Sequence, residues 1–106
     1  MPTAARYELL VGLHVSDNDL YASYRAAMTP LLEAAGGSFR YDFTIGQTLK
    51  GATDPAINRL FVISFPDKAA SDRLFADPDY LAVKREFFEA SVGLVKIIAA
   101  YEHSEG

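Results

Sequence analysis

Patterns of two-residue and helical hydrophobic period follow one another in the order strand, helix, strand, strand, helix, strand, and they use all 106 residues without a spare segment. From Arg6 to Val15, Tyr7, Leu9, Val11, Leu13 and Val15 alternate with Glu8, Leu10, Gly12 and His14, which is the period of a strand with one buried face. Ser16-Asp17-Asn18-Asp19 reads as a helix start, with Ser16 as the cap and Asp19 near the positive end of the helix dipole. Leu20, Tyr24, Ala27, Met28, Leu31 and Ala35 then form a helical stripe, with Ala22, Arg25, Thr29 and Glu33 on the outer face. Pro30 lies inside that run and removes the bond to Ala26, so a kink or a new turn is expected there. Gly36-Gly37 stops the helix.

The second strand alternates Phe39, Tyr41, Phe43 and Ile45 with Arg40, Asp42, Thr44 and Gly46. A turn-rich loop, Lys50 to Pro55, joins it to a third strand from about Asn58 to Phe65. Pro66-Asp67 opens a short helix, and Asp77-Pro78-Asp79 restarts it with Asp77 as cap and Pro78 at the first helical position. After Gly93, Leu94 to Glu102 reads as the last strand, with a loose tail from His103. Short connections and right-handed crossovers arrange these elements as two interleaved strand-helix-strand units. The expected fold is a single ferredoxin-like α+β domain over 1–106, a four-stranded antiparallel sheet of order 4-1-3-2 with two helices on one face.

Strand parity divides the sheet. One face carries Tyr7, Leu9, Val11, Phe39, Tyr41, Phe43, Phe61, Ile63, Phe65, Val95, Ile97 and Ala99, and it is expected under the helices. The other carries Leu10, Gly12, His14, Arg40, Asp42, Leu60, Val62, Ser64, Lys96, Ile98 and Ala100. Too much of that second face is apolar for open water, which predicts a homodimer in which two sheets close a barrel. A bulge in any strand would reverse the assignment downstream of it.

Composition removes several functions. Without cysteine there is no disulfide, thiolate nucleophile or cysteine-based zinc site. His14 and His103 are far apart and no His/Asp/Glu spacing recurs, so neither a metal nor another cofactor is expected. A net charge of −4 with ten scattered Lys and Arg argues against nucleic acid. The first residues lack a basic, then apolar, leader and no run reaches the roughly 20 apolar residues of a membrane span, so residence in the cytoplasm is expected.

Several ordered motifs carry a family likeness. Tyr21-Ala22-Ser23-Tyr24-Arg25, Gly36-Gly37-Ser38-Phe39, Gly51 with Asp54-Pro55, Arg59 to Pro66, Ala70, and Asp77-Pro78-Asp79-Tyr80 together resemble the small bacterial proteins of domain-of-unknown-function family 1330. That family is placed in the dimeric α+β barrel superfamily, and the likeness runs from about Tyr7 to Tyr101. The chain departs from the pattern at Thr53, Leu74, Ser64 and Phe87, where relatives often carry tryptophan, tryptophan, a carboxylate and an arginine. The resemblance implies the fold and the dimer. It implies no settled reaction, since the superfamily holds cofactor-free monooxygenases, haem-dependent enzymes and isomerases alike.

The candidate site residues follow from their chemistry. His14 is the candidate catalytic base, with a strand-end structural histidine as the competing reading. Arg40 is a candidate anchor for a substrate carboxylate, and Asp42 is expected beside it, either in the site or in an edge-strand ion pair. Ser64 lacks a nucleophile elbow and a base, which leaves it a ligand contact rather than a hydrolytic serine. Tyr24 and Tyr80 are expected to face the sheet and to line a pocket or simply fill the core. Arg25 is expected on the outer helix face, either solvated or in a dimer contact. The sequence supports a small-molecule-binding protein or a cryptic enzyme for cofactor-free proton abstraction or oxygenation of a small aromatic or acidic substrate. The alternative is an interaction module whose sheet face serves only homodimerisation.

Overall fold

A computed structural model describes residues 5–104. The strands are β1 (Ala5–Val15), β2 (Ser38–Thr44), β3 (Arg59–Phe65) and β4 (Val92–Ser104), all antiparallel in the order β2-β3-β1-β4. The expected order and class hold. Helix α1 (Asn18–Ala34) crosses the sheet, and α2 (Lys68–Ala76) and α3 (Pro78–Val83) follow β3. Beyond α3 the helix continues as a π-helical turn, Lys84–Phe88, and a final short α4, Glu89–Ser91. The last strand reaches Ser104, so His103 belongs to β4 and not to a tail.

The helix ends show how local chemistry sets the boundaries. Asp17, not Ser16, caps α1, accepting from the Leu20 N–H at 3.0 Å. Ser16 is drawn away to the end of α4, its N–H and its hydroxyl both donating to the Ser91 carbonyl. Asp67 caps α2 and Asp77 caps α3, the latter with Pro78 just inside the helix. No new helix begins at Pro30, and α1 runs through it as one element. At its end Gly36 takes a left-handed φ of 80°, while Gly36 N–H bonds the Glu33 carbonyl and Gly37 N–H the Leu32 carbonyl. This paired arrangement satisfies carbonyls the helix leaves open, and only glycine enters it without strain.

The core lies between the sheet and the helices. Leu9, Val11, Leu13 and Val15 of β1 meet Phe61, Ile63 and Phe65 of β3, with Tyr21, Tyr24, Met28 and Leu32 of α1 above them. The buried stripe of α1 is therefore rotated slightly from the expected one, towards Tyr21 and Leu32 and away from Leu20 and Leu31.

Two bulges correct the assignment of the faces. In β2, Phe39 pairs with Ile63 but Tyr41 pairs with Val62, so Arg40 is an extra residue and parity reverses after it. Tyr41 and Phe43 consequently turn to the open face, and Asp42 turns to the helix side beside Phe61. In β4 the register slips around Ile98, which places Ala99 with Leu10 on the open face and Ala100 with Leu9 on the helix side.

Candidate functional site: a cavity beneath the helices

A cavity of about 440 Å³ lies between the sheet and the helices, within the roughly 300–1,000 Å³ range of small-molecule sites. Its floor is Leu9, Val11, Phe61 and Ile63, its roof Tyr24, Met28 and Phe88, and its flank Phe75 and Tyr80. Val95 and Ile97 of β4, 50% and 55% exposed, stand at the rim where no helix covers the edge strand. Aromatic rings from four elements border the space, two of the pairs edge to face and the Tyr24–Phe88 pair tilted. Tyr24 contacts Phe88 and Tyr80, and Tyr80 contacts Phe75, at centroid distances of 4.9, 6.4 and 5.3 Å.

The polar feature of this cavity is a pair of phenols. Tyr24 and Tyr80 both line it, and their hydroxyls lie 2.8 Å apart although both residues are 5% exposed. One hydroxyl donates to the other, which leaves the acceptor's own O–H available to a ligand atom. Burial raises the pKa of Tyr24, and its neighbour Tyr80 raises it further. Burial also raises Tyr80, partly offset by the bond from Tyr24. Both phenols are therefore neutral hydrogen-bonding groups near pH 7 and not phenolate bases. The remaining polar lining is Tyr7, Tyr21, Ser71, Asp72 and Lys84.

Asp42 is held outside the cavity by two arginines. Arg59 donates to it through Nε and Nη2, each at 2.8 Å, and Arg25 donates to it from above. The Arg25 guanidinium also stacks 3.6 Å from the Phe39 ring centroid and donates to the Tyr21 hydroxyl at 3.3 Å. Arg25 is thus a tether between α1 and the sheet, with 15% of its side chain exposed, and not a solvated outer-face residue. Burial pushes the Asp42 carboxyl up, but the hydrogen bonds and charges of Arg59 and Arg25 outweigh it and hold the group below its ordinary range. The trio lines a second, smaller cleft with Asn18, Tyr21 and Ala22.

The open face of the sheet carries the other candidates in two separate places. Arg40 Nε lies 3.2 Å from Glu8 Oε2, and Glu8 is fully buried beside Ser64 and Tyr101 on the neighbouring strands. The guanidinium N–H is poorly aligned, so neither carboxylate oxygen of Glu8 receives a well-formed hydrogen bond. The Tyr101 phenol is raised by burial first and then by Glu8, without completing such a bond either. Ser64 is buried and accepts from Arg6 Nε at 2.8 Å. His14 sits at the far end of β1, roughly 20 Å from Glu8 at about 3.3 Å per residue. Its Nδ1 lies 2.8 Å from the Ala56 carbonyl, which only accepts, so the Nδ1–H is the donor of that bond. A small molecule does not bridge His14 and Arg40, and neither residue lines the cavity.

Of the six residues singled out from sequence, the structure brings together Tyr24 with Tyr80, and Arg40 with Ser64 through Glu8. Sequence reasoning passes over Arg59 and Lys84 as site residues, whereas it sets Arg25 on the outer helix face and Glu8 on the open side of β1. Among the described residues no group of three or more His, Cys, Asp or Glu side chains is placed to hold a metal ion. No helix among the described residues is long and apolar enough to cross a membrane.

The family model for a domain of unknown function, DUF1330, matches residues 8–101. The chain belongs to the DUF1330 family. A search of curated protein sequences finds no match. Among solved structures, the RPA0582 protein of unknown function from Rhodopseudomonas palustris is similar, with 18% identity and a TM-score of 0.74 over 98% of this chain and 85% of that one. A dabb family protein with a ferredoxin-like fold from Mesorhizobium loti shares 18% identity and a TM-score of 0.59 over 95% of this chain and 97% of that one. A dimeric protein of unknown function with a ferredoxin-like fold from Bacteroides fragilis shares 10% identity and a TM-score of 0.59, over 99% of this chain and 100% of that one. At these identities the likeness establishes the ferredoxin-like fold of this DUF1330 member and leaves its chemistry to its own residues.

Proposed function

We propose that this DUF1330 protein binds a small, largely apolar molecule, aromatic by preference, in the cavity beneath its helices. The observation that carries the reading is the buried Tyr24–Tyr80 hydroxyl pair at 2.8 Å inside a cavity otherwise walled by aromatic and aliphatic side chains. Such a site takes up the ligand by apolar burial and orients it by one hydrogen bond. Because both phenols stay protonated, they supply a donor to a ligand carbonyl or hydroxyl and do not abstract a proton. His14 serves as a base only for a molecule bound against the open face, so the binding reading stands ahead of cofactor-free proton abstraction.

The test uses p-cresol and toluene in ligand-observed NMR. Saturable binding of both is expected, p-cresol the tighter, with loss of both in Val11→Phe, where the larger side chain fills the floor of the cavity. No saturable binding, or binding indifferent to Val11→Phe in a folded protein, would overturn the reading.

A second observation favours homodimerisation through the open face. Tyr41, Phe43 and Tyr101 stand on that face 49%, 51% and 38% exposed, with Ile98 at the β4 bulge 48% exposed. Large apolar side chains gathered on one uncovered sheet face mark a protein contact. Dimerisation and ligand binding are compatible, since the cavity lies on the other side of the sheet.

A further inference from the structure

Among the described residues, Lys84 is the one basic residue lining the cavity. It is half-buried, and among the described residues it has no ion-pair, hydrogen-bond or ring partner. The acid that shares the lining, Asp72, is taken by Lys68 at 3.0 Å. Among the described residues, then, no carboxylate is in ion-pair contact with this half-buried lysine of the cavity lining.

The backbone under Lys84 is also unusual. The Glu89 N–H bonds the Lys84 carbonyl, five residues back, which makes Lys84–Phe88 a π-helical turn. Tyr80, Lys84 and Phe88 all line the cavity at intervals of four residues. In an unbroken α-helix of 3.6 residues per turn, eight residues carry such a stripe about 80° around the axis. The wider turn takes back most of that rotation and keeps all three side chains on the cavity side. Single π-turns inside helices occur frequently at functional sites. Here the turn begins at Lys84, which the α-helix before it already sets one turn beyond Tyr80, and it returns Phe88 to the same lining.

We propose that the ligand of this cavity is a small organic acid, its apolar body among the aromatic side chains and its carboxylate paired with Lys84. This inference rests on the cavity being the binding site and adds the class of molecule it takes. The phenol pair and the ammonium then divide recognition, the hydroxyls holding a neutral oxygen and Lys84 the charge. A lysine serving only as a solvated surface group would run its stem along the apolar wall and show no preference among ligands.

The experiment compares phenylacetate with phenylacetamide, which match in shape and differ in charge, by calorimetric titration of the full chain. Phenylacetate is expected to bind about tenfold tighter, the size of one charge-assisted hydrogen bond that is partly desolvated. That preference is expected to shrink with added sodium chloride, to vanish in Lys84→Met, and to survive in Lys84→Arg. Equal binding of acid and amide by the natural protein, or a preference that persists in Lys84→Met, would overturn this proposal while leaving the cavity reading intact. Binding of neither compound would overturn both.

Discussion

The Asp42 cluster gives the most quantitative test of how this fold holds together. Asp42→Asn keeps the shape of the side chain and removes its charge, leaving Arg25 and Arg59 facing one another part-buried, with 15% and 23% of their side chains exposed. Fully exposed ion pairs contribute about 0–1 kcal/mol. Breaking a fully buried pair costs about 3–5 kcal/mol. Asp42, at 29% exposure with three N–H donors directed at it, falls between these limits, at about 2 kcal/mol. For a domain of this length that is about 9 °C in Tm, from an unfolding entropy of about 2.1 cal/mol/K per residue. The effect has a characteristic pH dependence. Because the folded carboxyl titrates below the unfolded one, its stabilisation is present above the unfolded pKa of about 3.9 and is lost as pH falls through the folded value. The gap between natural protein and Asp42→Asn in urea unfolding, followed by circular dichroism, should thus be constant from neutral pH to about pH 5. Below about pH 4 it should close. Equal stability of the two proteins near pH 7, or a gap that persists undiminished in acid, would refute the argument. Asp72→Asn is the matched control, since its pair with Lys68 is 63% and 67% exposed and should contribute nothing measurable.

Tyr24→Phe leaves the Tyr80 hydroxyl without its partner in a buried site and should lower unfolding stability by about 1 kcal/mol in denaturant titration, together with weaker p-cresol binding. Gly36→Ala forces a side chain into a left-handed φ and against Pro66 Cγ at 2.7 Å, so a loss of about 1–2 kcal/mol is expected by thermal unfolding, and a neutral result would contradict the assigned helix stop. Phe43→Asp places a charge among the exposed apolar side chains of the open face and should shift the protein from dimer to monomer in light scattering coupled to gel filtration, with the helical signal unchanged. A natural protein that is monomeric at high micromolar concentration would remove the dimer proposal outright.

Elements, topology and the polarity of β1 were legible because each rests on local periodicity or a local cap. Alternation over Tyr7 to Val15 identifies a strand wherever it lies, and Asp77-Pro78 starts a helix for reasons contained in a few residues. The faces of β2 were not legible beyond Phe39. Alternation continues unbroken through Arg40, and the bulge there is visible only as a slip against Ile63 and Val62 on another strand. That slip moves Asp42 from the open face to Arg25 and Arg59, so the most charged cluster beneath the helices could not be assembled from sequence spacing alone.

The cavity shows the same division. Tyr24, Tyr80, Phe88, Phe61 and Ile63 each read correctly as core, and nothing in a run of apolar residues distinguishes a packed core from one that encloses space. Whether rings interlock or stand edge to edge depends on the angles at which α1, α3 and the sheet meet, and those are set by contacts between residues far apart in the chain. Lys84 likewise joins the lining only because α3 and the π-helical turn after it lie against the cavity with Tyr80 and Phe88. The chain by itself determined which segments are strands and helices and how they connect, because secondary structure answers to neighbours within a few residues. Tertiary packing alone decided the register slips, the ion-pair partners and the empty volume, because each is a property of surfaces brought together from distant parts of the sequence.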